Sequence, residues 1–182
     1  LARRAVEVAE QTFGPDHPHM AIVLAELAGT LHELGRAEEA ERLYRRVLGI
    51  VEATAQDGSR DVATSRNNLA EALVRLNRLD EAEALFRRAL AIRERALGPD
   101  DAGVALTLTN LAVVLQHLNR LDEAESLHRR ALAIYEAALP PDHPTIAASL
   151  NNLAAVLWGL GRTEDEKLHR RALAIREAAL KR

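Results

Sequence analysis

Two short stretches of the sequence carry residue types that could bind a metal ion. Asp16, His17 and His19 supply one carboxylate and two imidazoles within four residues, a set of ligands that zinc accepts. Their DHPH setting is typical of a turn, where an aspartate caps a helix and a proline starts it. His32 and Glu33 lack the second histidine of a zinc-protease helix. We therefore expect no metal and no cofactor.

Other catalytic patterns fail because their structural context is wrong. The GLG at 159–161 ends a helical pattern and does not follow the strand that a dinucleotide-binding fingerprint requires; a phosphate loop is also missing. Glutamates are abundant, but their spacing places them on exposed helix faces, where burial cannot tune them for acid–base work. Without cysteine the chain has no thiol nucleophile. We predict that it is not an enzyme.

Composition favours a helical protein. The 182 residues are 48% hydrophobic but only 3% aromatic, and Ala, Leu, Arg and Glu dominate, as in all-helical proteins. A net charge of −3 provides no basic field for nucleic acid or an anionic membrane, and no apolar run is long enough to span a bilayer. The lack of cysteine fits an intracellular protein. We expect a cytoplasmic chain that binds neither nucleic acid nor membrane.

An internal repeat organises the whole sequence. A Leu-Ala pair recurs every 42 residues, and an arginine follows each pair at a constant distance. A period of this size is typical of a solenoid. Apolar residues at three- and four-residue spacing divide each repeat into helix A and helix B, at about 62–76 and 79–96 in the second repeat. The leucines are Leu27, Leu69, Leu111 and Leu153, and the arginines are Arg36, Arg78, Arg120 and Arg162.

Turn residues set the predicted boundaries. Asparagine or glycine occupies each corner between helix A and helix B, at Gly35, Asn77, Asn119 and Gly161, because these residues tolerate a left-handed backbone. Between repeats, GPDHP, GPDD and PPDHP stop one helix, and Asp16, Asp100 or Asp142 is predicted to cap the next. The loop QDGSR at 56–60 is expected to act in the same way. We predict one array: helix B of a preceding repeat at 1–14, then repeats at 19–57, 61–98, 102–139 and 144–181.

Each unit resembles a tetratricopeptide repeat. Besides the Leu-Ala pair, helix B carries a small residue, then a large ring, then a small residue, as in Ala40, Tyr44 and Val47. The equivalent sets are Ala82, Phe86 and Ala89, and Ala124, His128 and Ala131. The period and phrases such as NNLA, EAE-L-RRALAI and GPDHP are similar to the repeats of kinesin light chains and many bacterial proteins. The resemblance implies an all-α solenoid, a right-handed superhelix of antiparallel helix pairs. It also implies a protein-interaction scaffold that binds a protein or an extended peptide in the concave groove of its A helices.

The exposed side of helix A supplies the candidate ligand contacts. In the family this side lines the groove, and one position keeps asparagine through three repeats, as Asn68, Asn110 and Asn152. An amide can pair with both the N–H and the C=O of a peptide backbone, and the resemblance implies the same use. Alternatively, these amides bridge neighbouring A helices or satisfy a loop carbonyl. The other predicted groove residues are Asn67, Asn151, Glu26, Glu71, Arg75, His117 and Trp158.

Two further features have alternative interpretations. Trp158, the single tryptophan, is either an anchor for a ligand or packs beneath residues that follow position 182. Arginine pairs recur in helix B, but a glutamate four residues before the first arginine of each pair favours helical ion pairs over nucleic-acid binding. The glutamates are Glu41, Glu83, Glu125 and Glu166, and the first arginines are Arg45, Arg87, Arg129 and Arg170.

The fourth repeat departs from the pattern because it is one residue shorter and places Asp165 at or beside the position of the early alanine of helix B. We predict that residues 163–167 differ from the other corners, because a carboxylate does not fit a close helix crossing. The chain starts at Leu within a unit, and its last helix B keeps apolar residues at Leu168, Leu173, Ile175 and Leu180. We therefore expect a piece of a longer protein or stacking on a second copy. The alternative function is a spacer, sensor or self-association array in a larger signalling protein.

Overall fold

The computed structural model describes residues 2–55 and 59–180, and within these ranges it contains nine α-helices and no strand. The all-α prediction is confirmed. In the second repeat, α4 and α5 match the predicted helices to within two residues, the usual uncertainty of helix ends. Positions 57 and 181, where two predicted repeats end, lie outside the described residues. The helices are α1 Ala2–Phe13, α2 Pro18–Glu33, α3 Ala37–Thr54, α4 Arg60–Arg75, α5 Leu79–Leu97, α6 Ala102–His117, α7 Leu121–Ala138, α8 Pro144–Gly159 and α9 Asp165–Leu180.

The chain divides into two compact units, unit 1 at Leu1–Ile92 and unit 2 at Arg93–Arg182, with the boundary inside α5. In unit 1, α1 packs on α2, α2 on α3 and α3 on α4. Ala40 and Ala82 are fully buried, as expected where two helices approach closely. The single continuous array remains a prediction. The unit 1 core includes Ala9, Met20, Leu24, Val47 and Ile50, with a second cluster of Val62, Ala63, Ala89 and Ile92.

Unit 2 repeats this arrangement, with α6 on α7, α7 on α8 and α8 on α9. The early alanine of α7, Ala124, is fully buried, and so is His128, which takes the ring position. The predicted ring and small-residue pattern of helix B therefore forms the core of both units. The large core side chains of unit 2 are Leu108, Leu111, Leu115, Ile146, Leu150, Leu153 and Leu157.

The corners between helix A and helix B adopt the predicted left-handed backbone. Asn77 and Asn119 have φ of 57° and 59°, and Gly35 and Gly161 have φ of 75° and 69°. Asparagine and glycine are the residues that enter this region at low cost. The corner prediction is confirmed at these four positions.

The predicted helix caps were wrong by one residue. The N-caps of α2, α6 and α8 are His17, Asp101 and His143, and not the aspartate before each of them. His17 Nδ1 accepts a hydrogen bond from the His19 N–H at 3.2 Å, and Asp101 Oδ1 accepts from the Gly103 N–H at 2.7 Å. In α2 and α8, a proline at the first helical position forces the preceding residue into extended backbone, which makes that residue the cap. The α4 cap is Ser59, while Gln56, Asp57 and Gly58 lie outside the described residues.

The fourth corner deviates as predicted. The helices α3, α5 and α7 begin directly after Arg36, Arg78 and Arg120, whereas α9 begins only at Asp165, three residues after Arg162. Asp165 is half-buried. The shift in helix start places Asp165 at the first residue of α9, whereas the early alanine of α3, α5 and α7 lies three residues after the helix start.

The predicted ion pairs within helix B are present, but two of their glutamates are buried and a third, Glu83, is half-buried. Glu41 and Glu125 pair with the arginine four residues later, as do Glu83 and Glu166. Glu41 and Glu125 are nevertheless buried, which corrects the expectation that every glutamate of this set lies on an exposed face. The cause is the next corner arginine, because Arg78 contacts Glu41 and Arg162 contacts Glu125.

Arg46 and Arg130, each the second arginine of its pair, tie helix B to the preceding helix B. Arg46 Nη2 lies 2.6 Å from Glu10 Oε1 and donates to the Pro15 carbonyl oxygen at 3.1 Å. Arg130 repeats this contact in unit 2, with Glu94 and the Pro99 carbonyl oxygen. These arginines therefore join neighbouring repeats within each unit, a role that the sequence analysis did not assign.

Candidate functional site

A cavity of about 470 Å³ lies between α2, α3 and α4 in unit 1. Its apolar side chains include Ile22, Ala25, Val47 and Val51, while Asn68 is part of its polar wall. Ile22 is 58% exposed at the edge. A cavity of this size and mixed lining can accept a ligand group of side-chain size. The other lining residues are Pro18, Ala21, Thr54, Ala55, Asp61, Thr64 and Ser65.

We call the exposed or half-exposed side of helix A in each unit its A-face. Each A-face combines apolar, amide and charged or ionisable groups. In unit 1 the A-face contains Ile22, Glu26, Glu33, Asn68, Glu71 and Arg75, and in unit 2 it contains Leu106, Asn110, His117, Asn152 and Trp158.

The asparagines at the recurring position present their amides to the A-faces. Asn68 and Asn152 are half-buried, and neither side chain takes part in a hydrogen bond within the described ranges. Their amides can thus donate to and accept from a ligand without breaking an internal bond. Asn110 is half-buried on α6.

The asparagines one position earlier have internal partners. Asn67 is 3% exposed, and its Nδ2 donates to Glu71 Oε1 at 2.7 Å. Its burial differs from the exposed placement that the helical periodicity predicted, because α4 packs against both α3 and α5 and its buried stripe is wider. Asn151 Oδ1 lies 3.0 Å from His169 Nδ1. Both amides organise neighbouring side chains.

Tyr44 on α3 lies beneath the unit 1 A-face. Its side chain is 7% exposed, and a Cβ placed on Gly29 of α2 would lie 3.7 Å from its hydroxyl oxygen. Burial raises the pKa of Tyr44, and the carboxylates of Glu71 and Glu33 raise it further. The sequence signal for this site was a glycine inside a helix, where glycine costs stability and calls for a reason.

On the unit 2 A-face, Trp158 is 75% exposed. Its large ring is thus in contact with solvent over most of its area, although tryptophan is usually well buried. Leu106 is 46% exposed, and His117 is also exposed. This face offers aromatic and apolar area together with an imidazole.

Beneath the unit 2 A-face, His128 is fully buried. Its Nε2 lies 3.2 Å from Gln116 Oε1, while Nδ1 has no hydrogen-bonding partner. Burial lowers the pKa of His128 from 6.5 to about 4. The ring is therefore neutral near pH 7, and it fills the core position that Phe86 takes in unit 1.

The candidate metal ligands near the first turn have other contacts. The rings of His17 and His19 lie 5.2 Å apart and both lie within 5.3 Å of the Phe13 ring, measured between centroids. Within 2–55 and 59–180, no three His, Asp or Glu side chains cluster as metal ligands would. None of the helices in these ranges combines the length and the apolar character needed to cross a bilayer.

Helix pairs joined by left-handed corners, with a buried alanine early in α3, α5 and α7, define a helical-repeat protein. The family model for the tetratricopeptide repeat matches residues 1–53, 61–137 and 104–178. The chain belongs to the tetratricopeptide repeat family, whose members are generally non-enzymatic scaffolds for protein partners. No catalytic family is indicated. No curated protein matches the chain.

Several solved structures share the fold. BtubC (BKLC) from P. vanneervenii is 29% identical, with a TM-score of 0.85, covering 98% of this chain and 71% of that one. A Podosopora anserina putative kinesin light chain with nearly identical TPR-like repeats is 25% identical, with a TM-score of 0.81, covering 98% and 85%. The apo form of RapI is 15% identical, with a TM-score of 0.83, covering 98% and 64%. The resemblance to kinesin light chain-like repeats is confirmed.

Proposed function

We propose that the chain is a non-enzymatic scaffold whose A-faces bind an extended peptide or a segment of a partner protein. One observation carries the proposal: the unit 1 cavity combines an apolar floor with the uncommitted amide of Asn68. An extended peptide alternates its side chains, so that an apolar side chain can enter the cavity while the backbone pairs with the amide. Family membership supports a protein partner.

The unit 2 A-face offers the same combination in another form. Asn152 supplies the amide, and Trp158 supplies a large surface with few rotatable bonds, a property of interface anchors. We propose that Asn68 and Asn152 bind peptide backbone and that Trp158 contacts a side chain. His117 and Asn110 are further contacts proposed on this face.

Selection from a random peptide library displayed on phage, with the purified chain as bait, tests the proposal. Selected peptides are labelled with fluorescein, and their affinities are measured by fluorescence polarisation. We expect the double variant Asn68→Ala, Asn152→Ala to bind about thirtyfold more weakly, since each amide contributes on the order of 1 kcal/mol and the two together about 2 kcal/mol. Asn119→Gly is the matched control, because Asn119 lies at a corner whose φ of 59° suits glycine.

Equal affinity of the double variant and the control would show that the A-face asparagines do not bind the peptide. Failure to select any peptide would remove the support for peptide binding altogether. Circular dichroism of each variant establishes that the helices are retained.

Self-association is the second candidate, and it is favoured by Leu173. This leucine of α9 is 57% exposed, while Leu168 is half-buried and Ile175 is buried. The side chain of Leu180 lies outside the described set. Light scattering at two concentrations tests this role: we expect a larger mass at the higher concentration, which Leu173→Gln reduces. A constant monomer mass would refute it.

A further inference from the structure

Gly29 opens a notch in the unit 1 A-face above the Tyr44 hydroxyl. It lies inside α2, where any other residue would place its side chain toward the phenol, since even a Cβ would be 3.7 Å from the hydroxyl oxygen. Glycine at this position lowers helix stability, so an open space is what the chain gains from it. Glu33 follows four residues later and therefore lies on the same side of α2.

The notch carries negative charge from two helices. Glu33 is exposed on α2 and Glu71 is half-buried on α4, and both carboxylates add to the effect of burial in raising the pKa of Tyr44. Arg75 lies one turn beyond Glu71 on α4, and none of the ion pairs in the described part of the chain includes it. Arg75 therefore makes no direct ion pair with the carboxylates that act on the phenol.

Asn67 places a buried hydrogen-bond acceptor without a donor in the residue that contacts Glu71. Its Nδ2 donates to Glu71 Oε1 at 2.7 Å, and its Oδ1 is buried without a hydrogen-bonding partner. Turning the amide over would set Oδ1 against the carboxylate, so the carboxylate itself fixes this orientation. A buried acceptor without a donor is unfavourable, and a cationic N–H entering beside Glu71 would supply that donor.

We propose that Glu33, Glu71 and Tyr44, with Asn67 positioning Glu71, form a subsite for a lysine or arginine side chain of the bound peptide. This inference rests on the proposed function. Two carboxylates attract the cation, the phenol oxygen accepts one of its N–H groups, and the missing side chain at Gly29 leaves room for the alkyl stem. The neighbouring cavity beside Asn68 would take an apolar side chain of the same peptide.

Nuclear magnetic resonance of the full chain labelled with ¹³C-tyrosine tests the subsite with small probes. The chain has two tyrosines, so Tyr135 in unit 2 is an internal reference. Butylguanidinium and butylammonium chloride are titrated at constant ionic strength, with sodium butyrate as the probe of opposite charge. We expect a saturable shift of the Tyr44 signal with the two cations, no saturable shift with butyrate, and no matching change at Tyr135.

Variants assign the effect to the named groups. Glu33→Gln combined with Glu71→Gln should weaken cation binding at least about tenfold, while the amide oxygen introduced at position 71 can still accept from Asn67. Gly29→Leu should block binding by filling the notch, and Arg75→Gln should strengthen binding because it removes a positive charge one turn from Glu71. Circular dichroism of each variant establishes that the helices are retained.

The outcomes separate this subsite from the proposed function. If phage-selected peptides bind at the A-faces but the cations leave Tyr44 unshifted, or shift it equally in the double glutamine variant, the subsite is refuted and the scaffold stands. If the cations bind as expected but no peptide is selected, the small-molecule subsite stands and peptide binding fails. Enrichment of lysine or arginine among selected peptides, lost with the double glutamine variant, supports both.

Discussion

Acid should destabilise this protein through His128 in a range where carboxylates are still ionised. The ring is fully buried, and its pKa falls from 6.5 to about 4 because burial disfavours the charged form. The unfolded chain therefore binds a proton below about pH 6.5 that the folded chain refuses until about pH 4. Stability contributed by the neutral ring is present above about pH 6.5 and is lost as the pH falls toward about 4.

The size of the loss follows from the two pKa values. Linkage gives about 2 kcal/mol at about pH 5 relative to about pH 7.5, rising to about 3 kcal/mol below about pH 4. Replacing His128 with phenylalanine removes this pH-dependent loss of stability. Phe86 shows that a phenyl ring fits the equivalent core position, where it is 1% exposed. Urea unfolding, followed by circular dichroism at about pH 7.5 and about pH 5, measures for each protein how much the free energy of unfolding changes between the two pH values.

Between the neutral and the acidic pH, we expect the free energy of unfolding to fall by about 2 kcal/mol less in His128→Phe than in the parent chain. His169→Gln is the control for removing an imidazole, because His169 takes the same position in the fourth repeat but is exposed. An equal pH dependence in His128→Phe and the parent would refute the assignment to this ring.

Three further predictions concern stability and binding. Glu125→Gln should cost about 1–3 kcal/mol of unfolding free energy because the carboxylate is buried between two arginines, whereas Glu166→Gln, in an exposed pair, should cost less than about 0.5 kcal/mol; equal losses in urea unfolding would contradict this. Trp158→Ala should change the free energy of unfolding by less than about 0.5 kcal/mol, since the ring is 75% exposed. The same variant should lower the affinity for phage-selected peptides about tenfold in fluorescence polarisation, and an unchanged affinity would show that Trp158 is not part of the binding surface. Gly35→Ala should lower the free energy of unfolding by about 1 kcal/mol because Gly35 has a φ of 75°, and Gly35→Asn should lower it by less. Equal midpoints of thermal unfolding for Gly35→Ala and the parent chain would show that alanine is not strained at this corner.

Local rules were enough to predict the helices, the repeat and the corners. Asn77 and Gly35 are read correctly because their left-handed backbone is a property of the residue and its position in a turn. The cap at His17 was missed because a following proline, and not cap preference alone, selects the position. A ranking of capping residues contains no such information.

Burial was harder to predict wherever more than one neighbour covers a helix. Asn67 lies inside because α4 is packed on two sides, and Glu41 is covered by Arg78 from 37 residues further along. A helical wheel describes one helix and cannot represent these partners. The Gly29 notch could not be predicted from one helix for the same reason, because the notch is formed with the Tyr44 hydroxyl of another helix.

The arginine contacts between successive B helices bear on how such a chain could have grown. Arg46 reaches Glu10, and Arg130 reaches Glu94, each across 36 positions of sequence. The residue types of both partners recur with the repeat, so a copy inserted by tandem duplication would bring the same pair of residue types to each new junction. The gene could therefore be lengthened or shortened by whole repeats without any compensating substitution at these contacts.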